Sequence, residues 1–288
     1  MKRTFTLCVF LCSIITGFAQ TDSTGTQNPA PKDDTIRIGG MVIIRKAGSK
    51  DREIKKDTTY KMRNRRGDKP ANLTTNWWIF DFGFSNYTDN TNYSGVAAQA
   101  YAPGSNATWF DLKDGKSRQV NIWFFMQKLN VVKHVVNLKY GLGLELNNYR
   151  YKQPIRYQEN TIAVPNPPRV ILDGTVGRTY EKNKLAADYL TVPMMINFNF
   201  TPKRNKGFGI SSGISAGYLY SARNKTITSD EGKEKAKDDF ELKKWKLSYI
   251  AELSLGPVRF YGSYALNSMY ERGLDIKPYN FGFRFSNW

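Results

Sequence analysis

From residue 76 to the C-terminus, apolar and polar side chains alternate in segments of about ten residues. In residues 136–147 the even positions are Val136, Leu138, Tyr140, Leu142, Leu144 and Leu146. The odd positions are Asn137, Lys139, Gly141, Gly143, Glu145 and Asn147. Neighbouring side chains on a strand point to opposite faces, so this period of two writes a strand with one greasy face. Residues 245–255, 208–220, 258–266 and 279–285 repeat the pattern, and Trp78, Phe80, Phe82 and Phe84 repeat it around Asp81. Residues 120–126 are more apolar on both faces. Residues 186–200 keep the rule except at Asp188 and Pro193. The spacing predicts eight strands, near 76–86, 117–128, 134–149, 184–200, 207–221, 244–255, 258–270 and 278–288. After the first 19 residues no stretch approaches the roughly 18 unbroken apolar residues of a membrane helix.

The connections sort the all-β alternatives. They run long (87–116), short (129–133), long (150–183), short (201–206), long (222–243), short (256–257) and medium (271–277). Tight turns at one end and larger loops at the other are the habit of an outer-membrane barrel. A water-soluble sandwich or ligand-carrying barrel would keep its aliphatic and aromatic face inside and a polar face outside. Here the second face is Gly, Ser and Asn with scattered charge, which suits a filled interior. The expected fold is an all-β, eight-stranded antiparallel transmembrane barrel over residues 76–288, in contact with outer-membrane lipid. An even strand number places both termini on the periplasmic side.

Residues 1–19 read as a cleavable export signal. Lys2 and Arg3 precede a short apolar core at 7–15, and Gly17 and Ala19 stand at the small-residue positions before Gln20. Both cysteines, Cys8 and Cys12, lie there, so the exported chain is expected to hold no disulfide, thiolate or Cys-bound metal. Residues 20–75 read as a flexible, basic periplasmic extension with a short strand at 36–44. Residues 45–69 carry eleven bases against four acids. Such a run is a solvated segment or a contact for anionic lipid, cell-wall polymer or another envelope protein. For an exported chain, nucleic acid is not the expected partner, whatever the net charge of +18.

The inward parity carries Asp81, Lys139, Glu145, Lys246, Glu252, Arg259 and Arg284. Buried charges must pair. The expected network joins Asp81, Lys139, Glu252, Arg259 and Arg284, with Glu252 meeting Arg259 or Arg284. This is a structural plug, and no catalytic, cofactor or metal residues are assigned. Acid–base chemistry at an outer rim calls for a poised His. The single His, His134, falls at a short turn on the opposite end. The acids Asp230, Glu231 and Glu234 are interleaved with Lys233, Lys235 and Lys237, a poor metal set. The long loops offer Tyr93, Tyr101, Trp109 and Phe110 for stacking on a ligand. The expected role is a non-enzymatic scaffold or accessory subunit of an envelope or secretion complex. A surface receptor or adhesin is the alternative, and a barrel enzyme is less favoured.

Several stretches carry a likeness. They are residues 141–151 (GLGLELNNYRY), 188–193 (DYLTVP), 214–218 (ISAGY), 261–264 (YGSY) and 279–285, with the leader 33–38 (DDTIRI). On these the chain resembles the PorT-like outer-membrane β-barrel family of Gram-negative Bacteroidota. The resemblance implies an eight-stranded outer-membrane barrel, in some members serving secretion-system assembly, and carries no catalytic residues. Terminal aromatics of such barrels usually share the lipid-facing phase. Trp288 is out of phase with Tyr279, Phe281, Phe283 and Phe285, so the last strand either ends near Phe285 or bulges.

Overall fold

The computed structural model describes residues 34–38, 41–45, 71–159, 167–202 and 207–286. In the N-terminal unit, β1 (Asp34–Ile38) and β2 (Met41–Arg45) pair antiparallel, with Thr35 opposite Ile44 and Ile38 opposite Met41. The single strand expected over 36–44 is therefore two, joined by two glycines, a composition suited to a tight hairpin. The expected export segment and the basic run beyond Arg45 lie outside the described residues.

The second unit is a ring of eight antiparallel strands. In chain order they are β3 (Leu73–Asp89), β4 (Arg118–Val132), β5 (Val136–Arg150), β8 (Tyr180–Asn199), β9 (Phe208–Thr228), β11 (Trp245–Leu255), β12 (Val258–Ala265) and β13 (Ile276–Phe285). Each pairs with its neighbour, and β13 closes on β3, with Arg284 opposite Asp81. Smaller elements sit in the long connections: helix α1 (Val96–Tyr101), the hairpin of β6 (Ile155–Tyr157) and β7 (Val170–Leu172), and β10 (Gly232–Ala236), which folds back antiparallel on the end of β9. Ring closure leaves no unpaired barrel edge, the requirement for a sheet that must satisfy its backbone in lipid.

The two faces separate cleanly. Outside stand Phe80, Phe82, Phe84, Leu190, Val192, Ile196, Phe198, Ile210, Ile214, Leu247, Phe281 and Phe283, all exposed. Inside stand Asn121, Asn137, Asn147, Thr191, Asn197, Ser211, Ser215, Asn280 and the paired charges, all buried. A contiguous apolar surface of this extent is incompatible with a water-facing monomer. Glycine makes the interior fillable. A Cβ on Gly143 would lie 2.6 Å from the Trp123 ring, and one on Gly83 would lie 2.6 Å from the Tyr261 hydroxyl. Bulky side chains thus lie across the smallest ones.

Among four register shifts in the described strands, two reset which face is outward. At Trp123/Phe125 the β4–β5 register shifts, so Trp123 and Met126 turn inward to meet Ile79 and Met195. The double apolar face of 120–126 has this cause. Opposite, Trp78 adopts φ 55°, and Trp77 and Trp78 both point outward. At Asp188/Tyr189 opposite Leu219 and Ser221, the extra residue Tyr220 switches the outward parity of β9 from even to odd. Strand β12 stops at Ala265, short of the expected 270. There the Ser268 hydroxyl accepts from the Tyr270 and Ile276 amides (3.2 and 3.3 Å) and donates to the Leu274 carbonyl, fixing a compact loop. Strand β13 ends at Phe285, the first of the two alternatives for the terminal aromatics.

Met194 is the centre of the outward run on β8 and is 51 % exposed. Met194→Arg should lower the free energy of folding into vesicles by about 2–4 kcal/mol, the cost of arginine facing the bilayer midplane. Val176→Arg, on an exposed loop, should stay within about 0.5 kcal/mol. Equal losses in urea titrations would mean that Met194 does not face lipid.

Candidate functional site

Arginine 284 organises the interior. Its Nε and Nη2 donate to the two carboxylate oxygens of Asp81, each at 2.7 Å, and its Nη1 donates to Glu252 Oε2 at 2.6 Å. The planar guanidinium fork suits this two-carboxylate grip. Glu252 Oε1 accepts Lys139 Nζ at 2.7 Å, and Lys139 also reaches Ser211 Oγ at 3.1 Å. Asp81 Oδ2 further accepts from Trp123 Nε1 (2.7 Å) and Asn121 Nδ2 (3.1 Å). The rings of Trp123 and Tyr261 flank the guanidinium at 5.5 and 5.9 Å. A second pair, Lys246 with Glu145, lies beside the Tyr189 ring.

Of the five residues expected in one network, the structure brings Asp81, Arg284, Glu252 and Lys139 together. Arg259 is also buried, but its Nη1 donates to Ser286 Oγ at 2.6 Å, and no described carboxylate lies within ion-pair distance. The register explains this. Glu252 stands opposite Tyr261, while Arg259 stands opposite Ser254, two residues nearer the turn. Arg284, from the next strand, occupies the position that Arg259 was expected to share. The cavity beside Trp123, Glu145 and Arg284 holds about 20 Å³, room for about one water. His134 sits in the turn between β4 and β5 with φ 59°.

The long connections fold over one mouth of the barrel as a second core. Tyr101, Phe110, Tyr149, Tyr151, Tyr157, Phe240, Leu242 and Tyr270 are buried there. The phenols satisfy each other: the Tyr157 hydroxyl meets those of Tyr151 (2.7 Å) and Tyr270 (2.6 Å). Tyr101 donates to the Phe240 carbonyl at 2.7 Å, and Tyr87 donates to the Phe110 carbonyl. This corrects the expectation that Tyr101, Trp109 and Phe110 are open for ligand stacking, because each is buried in the cap. Tyr93 is half-buried, stacks on Phe110 and donates to Asp89. The signal that could have shown the cap is parity. Tyr149 and Tyr151 continue the inward odd positions of β5, so large rings stand where a hollow mouth would need small ones.

Ion pairs lace the outside of the cap. Arg178 holds Asp173 (2.9 Å), Asp230 (2.7 Å) and Glu231 (2.7 Å), while Arg156 holds Asp173 (3.2 Å) and Glu231. Arg169 and Arg272 both hold Glu241, at 2.9 and 2.5 Å. Burial alone would raise the Asp173 carboxyl. Hydrogen bonds from Thr175, Tyr180 and Arg178 outweigh it and hold the pKa well below the carboxylate range. A lowered pKa contributes stability above the unfolded value of about 4, lost as pH falls through the folded value. Amides of residues 173–179 should therefore lose hydrogen-exchange protection below about pH 4, and Asp173→Asn should lack that loss. Unchanged pH dependence in the variant would mean that another group closes the loop.

Inside the ring, Asp81 and Glu252 neutralise Arg284 and Lys139, and Glu145 neutralises Lys246. Residues 80–274 match a family model described as an outer membrane protein beta-barrel domain. No curated protein matches the chain. The match spans most of the chain, from within β3 through β12, and the greasy exterior and largely charge-paired interior of the ring are what lipid-embedded strands require. The chain belongs to the outer membrane protein beta-barrel family and is an integral outer-membrane protein.

Proposed function

We propose that the protein is a closed, non-enzymatic barrel acting as a scaffold or accessory subunit of an envelope or secretion complex, within the PorT-like group of Bacteroidota. In this reading residues 1–19 are removed on export, both termini are periplasmic, and the loops of the cap are extracellular. The basic run 45–69 is then a periplasmic contact for an anionic surface or partner. The carrying observation is the filled interior. The network around Arg284 occupies the lumen and the aromatic core covers one mouth, so the outer surfaces and the extension are what the protein offers to others. Crosslinking in native membranes, mild-detergent capture and mass spectrometry test this. A recurrent envelope partner at near-equal yield is expected. A barrel recovered alone, or steady ion conductance in planar bilayers, overturns the reading.

The surface-receptor reading is favoured by a different feature. A groove of about 440 Å³ opens between residues 91–98 and 268–275, lined in part by Asn92, Ala97, Tyr270 and Arg272. Replacing residues 91–98 with a short Gly/Ser link separates the two roles, since a receptor loses its ligand and a scaffold keeps its complex.

A further inference from the structure

Above the apolar belt, the outer wall carries a row of cations. Arg150 on β5 stands opposite Lys184 on β8, Lys184 stands opposite Lys225 on β9, and Lys225 stands opposite Lys235 on β10. All four share the outward parity, so they form one line across four adjacent strands. Lys182 and Lys233 flank Ile227 in the next row out, and Arg223 lies in the row below. Asp188 ion-pairs with Arg223 at 2.9 Å. Among the described residues, no carboxylate lies within ion-pair distance of the other six. Lys184 instead donates to the Asn148 side chain, and Arg150 donates to the Glu181 carbonyl at 2.6 Å.

Directly opposed like charges destabilise a sheet, because their Cβ atoms stand only about 5 Å apart. Three such contacts in one row therefore call for an anion. The level of the row names which one. On β5 the last lipid-facing leucine is Leu146, four residues before Arg150. At a strand rise of about 3.4 Å per residue and a tilt near 40°, Arg150 stands about 10 Å beyond the hydrocarbon edge, and the row leads from it across the wall. Tyr218 and Trp245, packed edge to face at 5.1 Å, mark that edge on the neighbouring wall, the depth at which aromatic girdles sit. A cation there meets lipid phosphate before it meets anything dissolved.

We propose that the row Arg150, Lys184, Lys225 and Lys235 binds the phosphates of an anionic glycolipid of the outer leaflet against the β5–β8–β9–β10 wall. The site rests on the orientation given under Proposed function. Spaced phosphates on one headgroup match spaced cations on one row, and acyl chains below them would lie along Leu190, Val192 and Tyr220. Neutral detergent leaves the repulsion in place, and bound lipid removes it.

The test uses the full chain refolded in zwitterionic micelles, with thermal unfolding read by gel mobility. Lipid A should raise the wild-type midpoint by several degrees through preferential binding to the folded state, and phosphatidylcholine should not. The double variant K184Q/K225Q should unfold at or above the wild-type temperature without lipid A, because a repulsion has gone. It should lose most of the lipid A shift. K116Q, on an exposed loop, should shift like wild type. An equal lipid A shift in K184Q/K225Q, or no shift in wild type, overturns the site. So does a full shift produced by inorganic phosphate alone, since that describes a small-anion site. Orientation is read separately in intact cells. Val176→Cys, on the loop beside β8 and 99 % exposed, should label with a membrane-impermeant maleimide. Absence of label with the lipid shift intact would overturn the outer-leaflet assignment and the orientation together, and not the phosphate contact.

Discussion

Arg284→Met should destabilise the barrel by about 3–5 kcal/mol, the range for stripping one partner from a buried ion pair. The value should lie at the upper end because two carboxylates lose the same cation. Asp81 would keep only its neutral donors, Trp123 and Asn121, and Glu252 would keep Lys139. Lys139→Met should cost less, since Glu252 then retains Arg284. Asp81→Asn in the Arg284→Met background should recover part of the loss, and the double-mutant cycle should show strong coupling. Urea unfolding in vesicles, followed by heat-modifiable gel mobility, reads the wild type, the three single variants and the double variant. Simple additivity of Arg284→Met and Asp81→Asn would mean that the pair is solvated and the interior is not filled as described.

Tyr157→Ala should be comparably severe but elsewhere. The ring is buried between Tyr151, Tyr270 and Phe240, with the Phe240 ring centroid at 5.2 Å. Truncating a buried aromatic costs about 3–5 kcal/mol through lost contact and residual cavity. Two phenols would also lose their shared partner, each a penalty of about 1–3 kcal/mol. Tyr157→Phe, which keeps the ring, should cost only the hydrogen-bond part. The loss should fall on the cap, because none of β6, β7 and the loop around Phe240 closes the strand ring. Hydrogen exchange should quicken in residues 91–112, 151–158 and 238–243 and stay slow in β3 and β13. Uniform acceleration would show that cap and barrel unfold as one unit.

Strand number, strand order around the ring and the lipid-facing parity were legible because each depends on a local period of two. Leu142, Ile214 and Phe283 announce their face within five residues of themselves. The interior charges were legible for the same reason: Asp81, Lys139, Glu252 and Arg284 sit on the polar parity, and burial forces such groups to pair. The identity of the partners was not, because it turns on register. An offset of two residues at the β11–β12 hairpin places Arg259 beyond Glu252 and leaves the contact to Arg284. Bulges were also hidden. Nothing at Tyr220 alone says that the strand gains a residue there, and the consequence appears only when Arg223 and Lys225 are followed to the outside. The cap was hidden for a different reason. Its packing joins Tyr101, Tyr157, Phe240 and Tyr270, which lie far apart in sequence and in four separate connections, with no period to relate them.

The separation of faces has a consequence for how such a chain travels. Its greasy residues are interleaved with Asn, Ser, Gly and charge, so before the ring closes no segment resembles the long apolar stretch that an inner bilayer retains. Leu142 and Leu144 are separated by a glycine, and Ile214 and Ala216 by a serine. In an extended chain these average to a hydrophilic polymer, consistent with a mean hydropathy of −0.53. Hydrophobicity in this protein is therefore a product of folding. It comes into being when eight strands turn the same parity outward, and that happens only where the chain can close on itself. A crossing through one membrane and residence in another are reconciled by the same two-residue period, without any change in composition.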